Sequence, residues 1–279
     1  MGKTLSPLRY PGGKTKIYNK VKKLIEHNNW QNTTYVEPFA GGFGIGIGLL
    51  CDEVVNAVVI NDIDSHIYHF WDAVLNQTDE LITLIENTEV TIDERAIQKA
   101  AYEDPSTDAL HDGFATLYLN RVNYSGVIKG GPIGGAKQQS KYKIDCRFNK
   151  PDIIERIRCV ARFRDRITLY NCDASELIIR HVPQMDGQVF LNIDPPYVIK
   201  GSLLYTNYFE EQDHRNLANV IVGHLTNVPW IITYDDAELI REIYAGYLIQ
   251  EYNIQHNVGT KAKNTELVVS NIHPTSFVW

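Results

Sequence analysis

Paired cysteines, long apolar runs and a dinucleotide-binding glycine fingerprint are all missing from this 279-residue chain. Its four cysteines form no CxxC pair, which argues against a zinc site and against a disulfide framework. The longest nearly apolar stretch, residues 43–51, is far too short to cross a bilayer, and the first ten residues have no signal-peptide core. We therefore expect a soluble, intracellular protein whose chemistry requires no metal.

Acidic residues are also missing from the first 23 positions, which contain seven lysines and arginines. Residues 120–166 contain twelve basic residues against four acids, so the overall charge of −7 hides two basic segments on a strongly acidic remainder. This separation favours a polyanion bound at one surface, although solvated lysine-rich faces would explain the first segment equally well. In the second segment aromatic residues and glycines are mixed among the charges, which strengthens the nucleic-acid interpretation.

Short β-branched runs alternate with helix-length amphipathic stretches, a pattern typical of an α/β fold with a mostly parallel sheet. The predicted strands occupy residues 34–38, 56–61, 167–171, 188–193, 229–233, 247–254 and 266–271. The loop between the last two is too short for a crossover helix, which makes that pair antiparallel. Two helical stretches, about 78–101 and 108–121, precede a glycine- and lysine-rich loop. We expect a sheet domain over 1–71 and 161–279 and an inserted, mostly helical domain over 72–160.

Acidic residues follow the second, third and fourth predicted strands, at the edge where open α/β sheets bind ligands. The first strand runs into the glycine-rich turn 37–44, which lacks GxGxxG in register. Asp62 lies about twenty residues further on and is placed to accept hydrogen bonds from ribose hydroxyls. Asp173 and Asp194 follow the third and fourth strands, and each acid taken alone could equally be a helix N-cap. Together they fit a nucleoside without a pyrophosphate.

The fourth strand ends unusually, in VFLNIDPPY at residues 189–197. Two prolines remove two backbone donors and fix φ, so the strand cannot continue past Asp194. Whatever follows Asp194 is therefore held stiffly at the carboxyl end of a buried strand.

EPFAGGFG, NDID and DPPY, in this order with the insertion after NDID, resemble the Dam-type (alpha) group of S-adenosylmethionine-dependent N6-adenine DNA methyltransferases. The resemblance extends to LRYPGGK at 8–14, FATLYLNRVNYSG at 114–126 and GTKAKNTELVVSN at 259–271. It implies a Rossmann-like seven-stranded sheet with an antiparallel last strand and an inserted DNA target-recognition domain. It also implies a double-stranded DNA substrate, a cognate restriction endonuclease as a candidate partner, and a monomer or weak dimer in a bacterial or phage-infected cytoplasm, associated with the nucleoid.

The resemblance also implies roles for individual residues. S-adenosylmethionine would lie against Tyr10, where many members have Trp, and against Lys14, Phe39, Asp62, Asp173 and Asp194. Lys14 would hold the methionine carboxylate, Asp62 the ribose and Asp173 the adenine amino group. The catalytic motif would be Asp194, Pro195, Pro196 and Tyr197. The loop that would contact DNA contains Tyr124 and Lys129, and its basic neighbours Arg121 and Lys141 suit phosphate contact.

The DPPY residues suit transfer to an adenine amine, whose lone pair is delocalised into the ring. The Asp194 carboxylate and the Pro195 carbonyl can accept both N6 hydrogens, which favours a tetrahedral nitrogen. Tyr197 offers a stacking face for a base flipped out of the duplex. Two alternatives stay open: methylation of another planar amine, and a DNA-binding relative without activity. Tyr205, Tyr208 and Phe209 could form a lid or simply pack, and Tyr234 with Asp235 could line the target pocket.

Overall fold

The computed structural model describes residues 5–9, 14–199, 209–254 and 264–279 of the chain. Within these residues, the strands are β1 (Thr33–Glu37), β2 (Ala57–Asn61), β3 (Ile167–Tyr170), β4 (Gln188–Ile193), β5 (Trp230–Asp235), β6 (Leu248–Ile254) and β7 (Asn264–Ser270). They form one mixed sheet in the order β3-β2-β1-β4-β5-β7-β6. Strand β7 is antiparallel to both β5 and β6, which confirms the predicted α/β sheet and its antiparallel final pair.

The central strands are continuous apolar runs rather than alternating ones, as expected for parallel strands covered on both faces. In β4 every residue from Val189 to Ile193 is buried, and the same holds for all of β5. Strand β1 pairs with β2 on one side and β4 on the other, and β4 pairs with β5, all in parallel. The carboxyl ends of these four strands therefore lie at one edge of the sheet, and Asp194 follows β4 at that edge.

The helices of the described residues are α1 (Tyr18–His27), α2 (Gly44–Cys51), α3 (Ser65–Asn76), α4 (Thr78–Asn87), α5 (Ile92–Glu103), α6 (Ala109–Val122), α7 (Lys150–Ala161), α8 (Ala174–Glu176), α9 (Glu211–His224) and α10 (Glu238–Ile243). The prediction of one continuous helical stretch over 78–101 is wrong, because the chain breaks between α4 and α5. Thr91 causes the break: it takes an extended conformation, and its hydroxyl caps α5 by accepting a hydrogen bond from the Glu94 N–H.

The described chain divides into two compact units. The helical unit comprises the described residues up to Thr15 together with Gly41–Gly48 and Asp62–Asn171. The sheet unit comprises Lys16–Ala40, Leu49–Asn61 and the described residues from Cys172 onward. The boundaries of an inserted domain at 72 and 160 stay a prediction.

Helix α6 forms the centre of the helical unit, because each of its residues from Asp112 to Val122 is buried. Helix α3 approaches it closely at Gly113, where a Cβ atom would lie 2.6 Å from the His69 carbonyl oxygen. Polar groups also join the two helices, because the Asp112 carboxylate on α6 lies 2.6 Å from His66 Nδ1 and 2.7 Å from His69 Nδ1 on α3. A helix buried on all sides must satisfy its polar side chains internally, and Asp112 shows how this one does so.

Candidate active site at the carboxyl edge of the sheet

The DPPY segment begins where β4 ends, in the sheet unit. Asp194 is partly exposed, and its Oδ1 accepts a hydrogen bond of 2.8 Å from the Thr233 hydroxyl on the neighbouring strand β5. Pro195 is buried and Pro196 is partly exposed. Proline leaves these two positions without backbone donors, so the segment presents acceptors, a carboxylate and carbonyl groups, at the strand end.

Tyr197 is held through its hydroxyl. Only 7% of the residue is exposed, and the hydroxyl donates to Glu266 Oε2 at 2.9 Å. The Tyr252 hydroxyl donates to the same oxygen at 2.8 Å. Burial, followed by the charge of Glu266, raises the pKa of Tyr252 far above its ordinary value. Tyr252 therefore stays a hydrogen-bond donor at any working pH, and Glu266 is fixed from two sides.

The residues after Tyr197 are held by a second buried carboxylate. Asp235, at the end of β5, accepts hydrogen bonds from the backbone N–H groups of Val198 at 3.0 Å and Ile199 at 2.8 Å. Asp235 and Glu266 are direct partners in the antiparallel β5–β7 pair, and they are 3% and 4% exposed. In the structure Asp235 binds the backbone that follows Tyr197, and its predicted place in a target pocket stays a prediction.

Tyr35 on β1 takes part in another chain of buried hydrogen bonds, which joins β1 to β4. The Asn192 amide donates to the Tyr35 hydroxyl at 2.7 Å, and that hydroxyl donates to Glu37 Oε1 at 2.7 Å. All three residues are buried, and burial raises the pKa of Tyr35 well above its ordinary value. The chain of donors connects β4 to the start of the glycine-rich turn, so the strand ends that bear Glu37 and Asp194 are braced against each other.

Four aromatic rings of the sheet unit, those of Phe39, Phe209, His214 and Tyr234, contact one another in sequence. The Phe39 ring lies 6.0 Å from Phe209, which in turn lies 5.3 Å from the His214 ring. His214 is 1% exposed, its Nδ1 lies 3.1 Å from the Tyr234 hydroxyl, and its Nε2 makes no hydrogen bond to the described residues. Burial lowers the pKa of His214, so the ring is neutral near pH 7. Phe209 thus packs at the start of α9, while Tyr205 and Tyr208 lie outside the described residues.

Asp62, in the helical unit, is held by the glycine-rich turn. Its Oδ2 accepts a hydrogen bond from the Gly41 N–H at 2.9 Å and its Oδ1 accepts one from Asp64 at 3.0 Å. Gly41 has φ 46°, and its carbonyl accepts from the Trp71 indole at 3.0 Å. Burial raises the pKa of Asp62 to about 6. Asp62 is thus a preorganised carboxylate with lone pairs left for hydroxyl donors.

Asp173 is exposed and caps α8, because its Oδ1 accepts from the Ser175 N–H at 2.8 Å. The helix-capping alternative raised from the sequence is therefore realised, and a second carboxylate oxygen is still available for a ligand. Asn61, at the end of β2, ties this region to the turn: its amide donates to the carbonyls of Pro38 at 2.9 Å and Cys172 at 3.0 Å.

The predicted DNA-contacting residues of the helical unit differ in exposure. Tyr124 is 72% exposed, and Lys129 and Lys141 are exposed as well. Arg121 is only 6% exposed, because it belongs to the buried helix α6. Burial lowers the pKa of Arg121 to about 10, with the charges of nearby arginines adding to the effect. The structure therefore presents three of the four side chains at the surface.

Residues 124–131, here called the recognition loop, are held by side chains that bind the backbone of the loop. Three carbonyl oxygens of the loop accept these bonds: Gly126 from Asn120 at 2.9 Å, Ile128 from Asn123 at 2.6 Å and Gly130 from Arg95 at 2.8 Å. Gly126 has φ +80°, and a Cβ atom there would collide with the Arg9 carbonyl. Side chains of the surrounding scaffold thus bind the loop through its main-chain carbonyls.

Tyr10 lies outside the described residues, and so does the side chain of Lys14, whose backbone begins a short helical turn over Lys14–Ile17. The described ranges contain no group of three or more metal-ligating side chains that could hold an ion. Nor do they contain a helix with the length and hydrophobicity needed to span a membrane.

Sequence reasoning missed the residues that support the DPPY segment. Thr233 and Glu266 lie inside predicted strands, and neither was singled out as a site residue. Glu266 was the more detectable of the two, since a carboxylate within the apolar run ELVVS of a buried strand needs hydrogen-bond donors. The donors themselves, Tyr197 and Tyr252, come from distant parts of the chain, so that only the folded sheet identifies them.

Comparisons with known proteins identify the family of this chain. Residues 10–260 match the family model of the D12 class N6 adenine-specific DNA methyltransferases. The type II methyltransferase M.MjaIII of Methanocaldococcus jannaschii is 23% identical over 76% of this chain and 77% of its own length. The retron Ec67 DNA adenine methylase of Escherichia coli is 25% identical over 91% of this chain and 86% of its own. The modification methylase StsI of Streptococcus sanguinis is 23% identical over 98% of this chain, which spans 43% of that relative.

Proposed function

Because the chain belongs to the family of D12 class N6 adenine-specific DNA methyltransferases, we propose that it flips a target adenine out of duplex DNA and methylates its N6 amine directly from S-adenosylmethionine. The observation that carries this proposal is the DPPY segment: Asp194 stands at the carboxyl end of β4 with its Oδ1 held by Thr233, and the ring of Tyr197 is held by Glu266. Acceptors and a stacking face are thus offered together at one strand end.

The residues of this chain fit S-adenosylmethionine. The Asp62 carboxylate is held by two backbone amides and keeps acceptor capacity for the ribose hydroxyls, and it is ionised at neutral pH because its pKa is about 6. Asp173 would accept from the adenine amino group, and Phe39 would pack against the cofactor. Tyr10 and Lys14 are proposed from the resemblance alone, with Lys14 on the methionine carboxylate. When bound, S-adenosylmethionine supplies an electrophilic methyl group on a sulfonium.

Asp194 and Pro195 would prepare the adenine amine. The N6 lone pair is conjugated with the purine ring, which makes the amine a weak nucleophile. The Asp194 carboxylate and the Pro195 carbonyl accept one N6–H each, and this draws the nitrogen towards a tetrahedral geometry with an available lone pair. Thr233 fixes the direction of Asp194 Oδ1, so the carboxylate needs little reorganisation as positive charge develops on N6. The excess proton leaves through the same carboxylate.

Tyr197 would stack on the flipped base, and Pro196 would keep the ring at a fixed distance from Asp194. A base taken out of the stack loses its neighbours, and an aromatic face recovers part of that energy, about 1–3 kcal/mol per base. In the helical unit, Tyr124, Lys129 and Lys141 would contact the duplex from exposed positions. Arg121 would need to act from a buried position, and we keep it as the weakest member of the set.

The biological setting is also proposed. Two of the similar proteins are named as a type II methyltransferase and a modification methylase, which supports a cognate restriction endonuclease as partner. The similar methylase of retron Ec67 is not named as part of such a system, so a methyltransferase that acts alone is the alternative. We propose a monomer or weak dimer acting on DNA in the cytoplasm, and sedimentation at micromolar concentration would test the oligomeric state.

The test is methyl transfer from labelled S-adenosylmethionine to unmethylated genomic DNA, followed by nucleoside analysis and sequencing of the modified positions. We expect N6-methyladenine at a short recurring motif. Asp194→Ala should lower transfer by at least about 100-fold while duplex binding persists, since it removes the group that aligns the amine. The exposed Asp186→Ala, in the loop before β4, is the matched control and should leave transfer unchanged. Label in cytosine would overturn the base assignment. Binding of DNA and cofactor without transfer would favour an inactive relative.

A further inference from the structure

Two buried carboxylates lie side by side at the edge that bears the DPPY segment. Asp235 and Glu266 are register partners in the antiparallel β5–β7 pair, and both are almost fully buried. Like charges directly opposite each other destabilise a strand pair, and a buried carboxylate is costly unless it is hydrogen-bonded. The strand pair alone gives no reason for such an arrangement, so its explanation lies in what the two carboxylates bind.

Three of the hydrogen bonds that these carboxylates accept come from consecutive residues of the DPPY segment and its continuation. Glu266 accepts the hydroxyl of Tyr197, and Asp235 accepts the backbone N–H groups of Val198 and Ile199. Tyr252 also donates to Glu266, at the same oxygen as Tyr197 does. The two carboxylates thus both bind consecutive residues of the segment 197–199.

Strand β5 holds the segment at both ends. Thr233 binds Asp194 at the beginning of the motif, and Asp235 binds the amides that follow Tyr197. Residues two apart on a strand face the same side of a sheet, so both contacts arise from one face of β5. Strand β5 thus fixes the distance between Asp194, which would accept from the target amine, and the backbone that follows Tyr197.

We propose that Asp235 and Glu266 are positioning residues for methyl transfer: they hold Tyr197 in the one orientation in which a base stacked on it presents N6 to Asp194. This inference rests on the proposed role of Tyr197 as the stacking face. The Glu266 contact fixes the direction of the Tyr197 hydroxyl and so opposes rotation of the ring about its side-chain bonds. The stacked base would follow that rotation, and the amine would leave the line of attack.

The experiment compares Glu266→Gln, Tyr197→Phe and the double variant. Each single variant weakens or removes the same hydroxyl–carboxylate bond, and Tyr197→Phe does so without removing the ring. We expect kcat on unmethylated genomic DNA to fall by about 10- to 100-fold in each, because small misplacements of a reacting group cost this much. The calorimetric Kd for S-adenosylmethionine should stay within about twofold. The double variant should be no slower than the slower single, since both changes act on one contact.

Ser270→Ala is the matched control for loss of a buried hydrogen bond in the same strand pair. Its hydroxyl donates to the Trp230 carbonyl at 2.8 Å, at the opposite end of β5 and β7 from the DPPY segment. It should lower thermal stability without lowering kcat. If Glu266→Gln does not fold, Tyr197→Phe decides the question alone. A wild-type kcat in Tyr197→Phe, or a double variant whose loss equals the product of the two single losses, would overturn the inference.

Tyr197→Ala separates this inference from the function on which it rests. If Tyr197→Ala transfers methyl groups at the wild-type rate, the stacking role itself is wrong. If Tyr197→Ala is slow but Tyr197→Phe and Glu266→Gln are both fast, the ring matters and its hydrogen bond does not, so only the positioning inference fails.

Discussion

Acidification should weaken cofactor binding through Asp62. The carboxylate lies between the Gly41 and Asp64 amides, and burial raises its pKa to about 6 in the free protein. Ribose hydroxyls donate more strongly to a carboxylate than to a neutral carboxyl group. The binding-competent ionised form therefore predominates at pH 7 and 8 and becomes the minor form below about pH 6.

The size of the effect follows from that pKa. One pH unit below it, about one tenth of the molecules retain the carboxylate, so the apparent Kd should be roughly tenfold higher at pH 5 than at pH 7. The amino group of the cofactor titrates nearer to pH 8 and leaves the window between pH 5 and 7 clear. Binding weakens as the pH falls because protonation removes the charged acceptor. The raised pKa of Asp62 places this loss near pH 6 rather than near pH 4.

The measurement is calorimetric titration of S-adenosylmethionine into the protein between pH 5 and 8, with Asp62→Asn as the control. Asn is close in size and can still accept a hydrogen bond, yet it does not titrate. The variant should bind more weakly at pH 8 and show no step near pH 6. The absence of a step near pH 6 in the wild-type protein, or the same step in Asp62→Asn, would refute the assignment of Asp62 to the ribose.

Three further changes test other parts of the structure. Thr233→Val keeps the shape of the side chain but removes the donor to Asp194; we expect single-turnover transfer to fall by about tenfold with an unchanged cofactor Kd, since one aligning hydrogen bond is lost. Gly113→Ala places a Cβ against the backbone of α3 and should cost about 1–3 kcal/mol in urea unfolding, whereas Gly131→Ala, with open space around it, should be neutral. Lys129→Ala should weaken duplex binding and reduce the slope of log K against log salt by about 1, and an unchanged slope would remove Lys129 from the phosphate contacts.

The sequence predicts the strands well because their apolar runs are uninterrupted and their ends are marked by glycine, proline or acid. It predicts the antiparallel final pair from loop length alone. It does not reveal that β7 lies between β5 and β6, since strand order depends on pairings between residues far apart in the chain. The break between α4 and α5 was missed because Thr91 reads as an ordinary helix-surface residue until its hydroxyl is seen to cap α5.

The same distinction applies to the site. Asp62 and Asp194 are visible in the sequence because they follow strands, and strand ends share an edge. Thr233 and Glu266 are not recognisable as site residues in the sequence. They matter because strand pairing brings them within hydrogen-bond distance of Asp194 and Tyr197. For Arg121 the sequence predicts too much exposure. Composition groups it with surface lysines, but its helix is buried on every side.

The way in which the recognition loop is held has a consequence for how such a protein diversifies. Amide and guanidinium groups of the surrounding scaffold hold the loop by donating hydrogen bonds to its main-chain carbonyls. Exposed side chains within the loop, Lys129 among them, can therefore be exchanged during evolution while the path of the backbone is retained. If the loop contacts DNA as proposed, target preference can change through substitutions that leave folding intact.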